Sequence, residues 1–319
     1  MTGKEIRSRV GGTLLTLLGV SVVVFIVLRA LPGDAITAKL GTESGVLDHA
    51  QRQALEHYYG IDQPLLAQYF GWLRAVLSGN LGVSADSGQS VTSMLAAALP
   101  VTVELAVLAT LLGAPAGVFL GVLAAARPGR PRDIGVQGAA LLGLAIPEFV
   151  LGSVLVAVLA SAFGYFPNAG AFVPLTESVS ANLGQMIYPA AVLAVAFAAI
   201  VMRTTRSAYL EMARADFVRT AQGKGLAPSR VRLRHVLHNA GIPILTIIGI
   251  QFGYLLGGTV IVEQIFALPG VGRLLLNAIL NHDYAVVQST VLVIAAIFVL
   301  VNLVVDLLYR VLDPRVRIS

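Results

Sequence analysis

Apolar residues run along this chain in long blocks, without strand alternation and without a single helical stripe. Six blocks reach the roughly 20 residues that an α-helix needs to cross a hydrocarbon core. Block 10–31 carries only Arg29, 101–126 only Glu104, 134–163 only Glu148, and 285–308 only Asp306, while 184–202 and 242–262 carry no charge. Two periodic stretches lie between the first two blocks. Leu47, Ala50, Ala54, Leu55 and Tyr58 fall at helical spacing before Gly60, and Leu65, Leu66, Tyr69, Trp72, Leu73, Val76 and Leu77 follow Pro64 and stop at Gly79. The pattern predicts an all-α polytopic membrane protein with six transmembrane helices.

Composition agrees. Of 319 residues, 56% are hydrophobic and 12% charged, against about 45–50% and 25% in soluble domains. An ordinary water-soluble globule and a disordered chain are both excluded. The absence of Cys removes disulfides, thiol chemistry and thiolate zinc sites. A net charge of +5 first suggests nucleic acid, but the placement of the basic residues explains it otherwise. Lys4, Arg7 and Arg9, then Arg127, Arg130 and Arg132, then the eight bases of 203–241, then Arg310, Arg315 and Arg317 all fall on one side of the six-block topology. The other side holds Lys39, Arg52, Arg74 and Arg273. The positive-inside rule then makes both termini cytoplasmic, and no nucleic-acid partner is needed. Lys4, Arg7 and Arg9 before an apolar run resemble a signal peptide, yet the run is too long for an h-region and Leu28-Arg29-Ala30 is a poor cleavage site. The expected organisation is a first segment and helix (1–31), an extracytoplasmic loop with amphipathic helices (32–95), a five-helix core (96–310) and a cytoplasmic tail (311–319).

The loop 32–95 is acidic, and its Trp72 and Tyr69 suit a membrane interface. It reads either as a docking platform for an extracytoplasmic partner or as a lid on the span ends. Gly113, Gly117 and Gly121, and again Gly249, Gly253 and Gly257, form small-xxx-small ridges for close helix packing. Pro100, Pro147, Pro189 and Pro243 stand near span beginnings, and Pro115 predicts a kink within the second. The apolar stretch 266–277 predicts a helix lying partly in the outer leaflet.

The inside loop 203–241 holds eight bases and two acids: Arg203, Arg206, Arg214, Arg219, Lys224, Arg230, Arg232 and Arg234 against Glu211 and Asp216. Leu210, Phe217 and Ala221 can share a helix face, which Gly223, Gly225 and Pro228 interrupt. A second short helix is expected over 229–238, capped by Ser229. Such a helix–turn–helix below the membrane is a lever that a cytoplasmic machine can grip.

At this loop the chain resembles the integral-membrane subunit of type I ATP-binding-cassette (ABC) importers. Their cytoplasmic motif E-A-A-x-x-x-G is matched in frame by Arg219-Thr220-Ala221-Gln222-Gly223-Lys224-Gly225, followed by Ile242-Pro243. Arg219 stands where the general motif has Glu and Thr220 where it has Ala. The dipeptide/oligopeptide branch reads D-[YF]-V-R-T-A-x-x-K-G-L, which Asp216 through Ala221 and Lys224-Gly225-Leu226 match. Leu28 through Asp34, Tyr59 through Pro64, Gly79-Asn80-Leu81-Gly82, Leu99 through Leu105, Gly257 through Gly272 and Leu312 through Arg315 are similar again. The resemblance implies the type I permease fold and a non-catalytic subunit. Its partners would be a second homologous permease subunit, two cytoplasmic ABC ATPase subunits, an extracytoplasmic substrate-binding protein and membrane lipid. It implies a coupling loop built on Asp216, Arg219, Thr220, Ala221, Lys224, Gly225, Leu226 and Arg230, and short peptides as cargo. Nickel chelates, glutathione and oligosaccharides are the branch's other substrates. ATP and Mg would be used by the partners, with no cofactor and no metal held here. Consistently, Gly223-Lys224-Gly225 lacks the upstream Gly and the Ser or Thr of a P-loop.

Glu104 and Glu148 are acids in apolar blocks and hence candidates for the translocation path, Glu104 meeting a peptide amino group. The alternative for Glu104 is contact with water or a partner in the bundle. Asp306 and Arg310 predict an i, i+4 ion pair. His235 and His238 have no third ligand to complete a metal site. A stand-alone secondary transporter would favour a buried charge relay and inverted repeats, and an intramembrane enzyme a nucleophile or metal motif. Neither signature is present.

Overall fold

The computed structural model describes residues 3–30, 48, 50, 51, 53, 54, 62–167 and 170–312. Most of the helical stretch expected over 47–58 (residues 47, 49, 52 and 55–58), the motif residues 31–34, 59–61 and 313–315, and the side chains of the Asp306–Arg310 pair lie outside the described residues. The helices are α1 (Gly3–Ala30), α2 (Leu65–Leu77), α3 (Val91–Ala125), α4 (Pro131–Ala145), α5 (Glu148–Phe163), α6 (Val179–Ala213), α7 (Asp216–Gly223), α8 (Pro228–Gly258), α9 (Val260–Ile265), α10 (Val271–Leu280) and α11 (Tyr284–Leu312). Among the described residues, α1, α3, α6, α8 and α11 each include a stretch long and apolar enough to cross a bilayer, and α4 with α5, bent by 94° at their break, makes a sixth if the pair is one span.

That bend corrects the reading of 134–163 as one straight span. Pro147 has no N–H to continue the ladder and pushes Ile146 into extended backbone, so α4 ends at Ala145 and α5 starts afresh at Glu148. The other prolines need a correction in the opposite direction. Pro189 and Pro243 lie inside α6 and α8, and Pro100 lies ten residues into α3. α3 starts at Val91 because Val91, Leu95 and Ala98 form one buried stripe at i, i+4, i+7. Pro115 also sits within the continuous α3.

The chain forms two compact units. The first comprises residues 1–101 and 269–299. Its core joins Leu28, Val91, Leu95, Ala98, Val271, Ala278, Val286 and Val287. α2 follows Pro64 as expected and is held on α1 by aromatic and polar contacts. The Tyr69 hydroxyl lies 2.8 Å from Ser21 Oγ, its ring meets Phe25 edge-on at 5.3 Å, and Arg29 donates to Gln68 Oε1 while standing 4.0 Å over Phe25. The turn around residue 84 is fixed by Ser84 Oγ donating to the buried Asp283, and Leu81 C=O accepts from Ser289 Oγ at 2.7 Å. α10 is the short apolar helix anticipated from 266–277.

The second unit comprises residues 102–268 and 300–319. Its centre is the line where α3 meets α6. A Cβ on Gly117 would sit 2.7 Å from the Ala198 carbonyl oxygen, and one on Gly121 would sit 2.6 Å from Thr205 Cβ. The glycine ridge thus lets two backbones touch, the close approach available to helices in lipid. Glu263 in α9 is wholly buried, and its carboxylate accepts from Thr102 Oγ1 at 2.7 Å and Thr259 Oγ1 at 2.8 Å.

The ridge makes a direct prediction. Gly117→Ala forces a methyl into a backbone carbonyl and should destabilise the protein by about 1–3 kcal/mol. Gly138→Ala, where nothing lies within 4 Å of the added carbon, should be neutral or stabilising by about 0.5–1 kcal/mol. Thermal unfolding in detergent, followed by helical circular dichroism, separates the two.

Candidate functional site

Six of the eight basic-loop candidates point outward: Asp216, Arg219, Thr220, Lys224, Gly225 and Arg230 are exposed. Ala221 is buried and Leu226 is half-buried. The division follows from the register of α7. Val218 and Ala221, three apart, form its inward face, so the expected pairing of Phe217 with Ala221 is corrected: Phe217 is exposed. Val218 and Ala221 pack with Ala125 at the end of α3, with Tyr209 near the end of α6, and with Val231 and Val236 at the start of α8. The segment is therefore seated on three long helices at once. Along its outward edge Arg219 approaches Asp216 at 3.9 Å, but both side chains are so exposed that the pair adds little.

The end of α7 explains the Lys-Gly-Leu sequence physically. Lys224 is the C-cap, Gly225 adopts φ +74°, and Leu226 N–H bonds to Ala221 C=O at 3.3 Å while Gly225 N–H bonds to Gln222 C=O at 2.9 Å. These two bonds make a Schellman motif, in which the residue after the cap takes the left-handed conformation that Gly alone adopts cheaply. The accompanying apolar contact is also present, because Leu226 and Ala221 belong to the same cluster. Lys224 places its charge at the negative end of the helix dipole.

The expected second short helix is not a separate element. Pro228 occupies the first turn after an Ala227 N-cap, so Ser229 caps nothing, and the helix runs on through Gly258. Ile242 and Pro243 consequently fall well inside α8 and do not open it. Residues Val231–Leu237 form a π-helical stretch. Bonds that reach back five residues bring Val231 and Val236 onto one face, and both are buried under α7.

Glu104 lies in α3, where its Oε2 accepts from Asn182 Nδ2 of α6 at 3.4 Å. The same Asn182 amide donates to Val173 C=O at 3.1 Å. Glu104 thus has the partner in the bundle that was its alternative reading. Glu148 stands in the first turn of α5, at the 94° bend, half-buried. The two acids do not meet through a hydrogen bond.

One strong polar site was absent from the sequence reading. Asp133 in α4 is 1% exposed. Its Oδ1 accepts from Arg206 Nε at 2.7 Å and from Gln137 Nε2 at 2.8 Å, and its Oδ2 accepts from an Arg206 terminal nitrogen and from Gly129 N–H, each at 2.8 Å. The available signal was an acid directly after the basic residues Arg127, Arg130 and Arg132, at the first turn of a helix. Arg206 was legible only as one more inside charge.

Residues 117–318 match the family described as binding-protein-dependent transport system inner membrane component, and residues 4–106 match the N-terminal family of the same transport systems. A probable peptide ABC transporter permease protein of Sinorhizobium fredii is 36% identical over 99% of both chains. The di/tripeptide transport system permease protein DppB of Pseudomonas aeruginosa is 37% identical over 98% of both. The solved structure of an amino acid ABC transporter with histidines matches 70% of this chain and 95% of that one, with a TM-score of 0.51 at 18% identity, which supports the fold. The chain belongs to the binding-protein-dependent transport system inner membrane component family, and is a multi-pass, non-catalytic permease subunit of an ABC importer.

Proposed function

We propose that this permease carries short peptides, handed over by an extracytoplasmic binding protein, and that the segment 203–241 couples it to ATP hydrolysis. The carrying observation is α7: a short helix seated by Val218, Ala221 and Leu226 on the ends of α3, α6 and α8, with Asp216, Arg219, Thr220, Lys224 and Arg230 turned outward. A helix held in this way transmits a push to three long helices, and its outward polar edge suits a protein partner. In this reading the segment and both termini are cytoplasmic. Two ABC ATPase subunits engage α7 and its counterpart on a second, homologous permease. ATP and Mg are used by those subunits, and closure of the ATPases switches the pathway from one side of the membrane to the other. The peptide assignment draws on the relatives, a probable peptide permease and a di/tripeptide permease. Glu104 and Glu148 are assigned to the translocation path, where acids suit the amino group of a peptide.

Two measurements test the proposal. In the complex reconstituted in lipid with its binding protein, di- and oligopeptides should stimulate ATP hydrolysis. Stimulation only by glutathione, nickel chelates or oligosaccharides would keep the coupling and reject the peptide, and the absence of any associated ATPase would reject the coupling. Gly225→Val should lower transport at least tenfold while the complex still assembles, because a β-branched residue in the left-handed region costs about 1–2 kcal/mol and opens the turn. Gly223→Ala, which adds a methyl into open space within a helix, should leave transport near the parent value.

A further inference from the structure

We infer that Asp133 and Arg206 are positioning residues for transport: their ion pair is the joint through which movement of α7 and the stem of α6 reaches α4. The inference rests on the reading of α7 as the ATPase-coupling helix. Three observations carry it.

The first is the completeness of the pair. Each carboxylate oxygen of Asp133 has two donors, and Arg206 supplies one to each through its fork. A bidentate guanidinium–carboxylate contact fixes rotation as well as distance. It also pins the turn before α4, through Gly129 N–H, to the same carboxylate.

The second is the position of the pair. Arg206 lies near the end of α6, which stops at Ala213 and hands over to α7 at Asp216. Asp133 is in the first turn of α4. α4 then ends at the 94° bend before α5. A helix of about 22 Å, at 1.5 Å per residue, is thus tied at one end to the coupling stem and bent at the other end.

The third is the character of the other contacts between α4 and α6. Beyond the pair they are apolar and non-directional: Ala140 and Val136 of α4 pack with Ala199 and Met202 of α6 and Leu120 of α3, and a Cβ on Gly143 would stand 3.0 Å from Val195 Cγ1. Beside this contact Gly135 and Ala139 of α4 and Ala198 of α6 help line an apolar recess of about 340 Å³. Ile134, Leu141 and Leu142 are exposed on α4. Close-packed side chains transmit displacement, whereas a gap absorbs it. The ion pair is therefore the one directional link of the described contacts between α4 and α6, and the apolar contacts around it carry no such orientation.

The test uses the whole importer in liposomes, with Gln222→Cys as a crosslinking probe on the exposed side of α7, since the chain has no Cys of its own. Asp133→Asn keeps an acceptor for Gly129 but removes the charge, and Arg206→Lys keeps the charge but removes the fork. In both variants, peptide transported per ATP hydrolysed should fall at least tenfold, while the yield of complex and the crosslink from Gln222→Cys to the ATPase change less than twofold. An unchanged ratio in both variants overturns the inference, and so does failure of both to assemble, which would make the pair a folding contact. If the parent complex gives no crosslink to the ATPase, the coupling reading beneath the inference is the part that fails.

Discussion

The left-handed turn at Gly225 is the local constraint on which the basic segment depends. With φ at +74°, Leu226 N–H can close on Ala221 C=O and the Leu226 side chain turns back into the cluster under α7. Without that reversal α7 would have no apolar end to bury, and Pro228 could not start α8 directly beneath it. The next layer is the π-helical stretch, which sets Val231 and Val236 on one face and so gives α7 a floor. Above that floor, the stripped glycine ridge of α3 lets α6 approach to backbone contact. A short exposed helix, a widened turn and a glycine seam thus build one continuous mechanical path from solvent into the apolar bundle.

Several buried polar side chains within that bundle have protein partners. Lipid offers no water to an orphaned donor or acceptor, so a buried polar group needs a protein partner. Glu263 has two threonine hydroxyls, Asp133 has four donors, and Asn182 joins Glu104 to the carbonyl of Val173. Removing one partner of a buried ion pair is strongly destabilising, whereas the intact pair adds little net stability. That asymmetry makes Asp133 and Arg206 better suited to fixing geometry than to raising stability.

Much of this could be read from the chain. Long apolar blocks with at most one charge each located the candidate crossings, and the Pro64-to-Gly79 periodicity located α2. The Lys-Gly-Leu motif around Gly225 located the helix end and its left-handed turn. What failed did so for identifiable reasons. The break at Pro147 lies inside a run that is apolar on both sides, so hydropathy carries no trace of a 94° bend. The early start of α3 depends on a buried stripe at Val91, Leu95 and Ala98 in a stretch too short to stand out. Phe217 drew attention by its size, but the register of α7 was set by its smaller neighbour Val218. The Asp133–Arg206 pair joins residues 73 apart in sequence, and that pairing is a tertiary fact with no local signature.

The central claim is that α7, the helix ends around it and the start of α4, joined to them by Asp133 and Arg206, move as one body. Spin labels at Gln222→Cys on α7 and Arg132→Cys at the start of α4, both exposed, would measure it by pulsed electron resonance in the assembled importer. The account predicts one narrow distance distribution that is the same in the nucleotide-free and ATP-bound states. A distribution that shifts or splits on ATP binding would contradict it, because α7 would then move independently of α4.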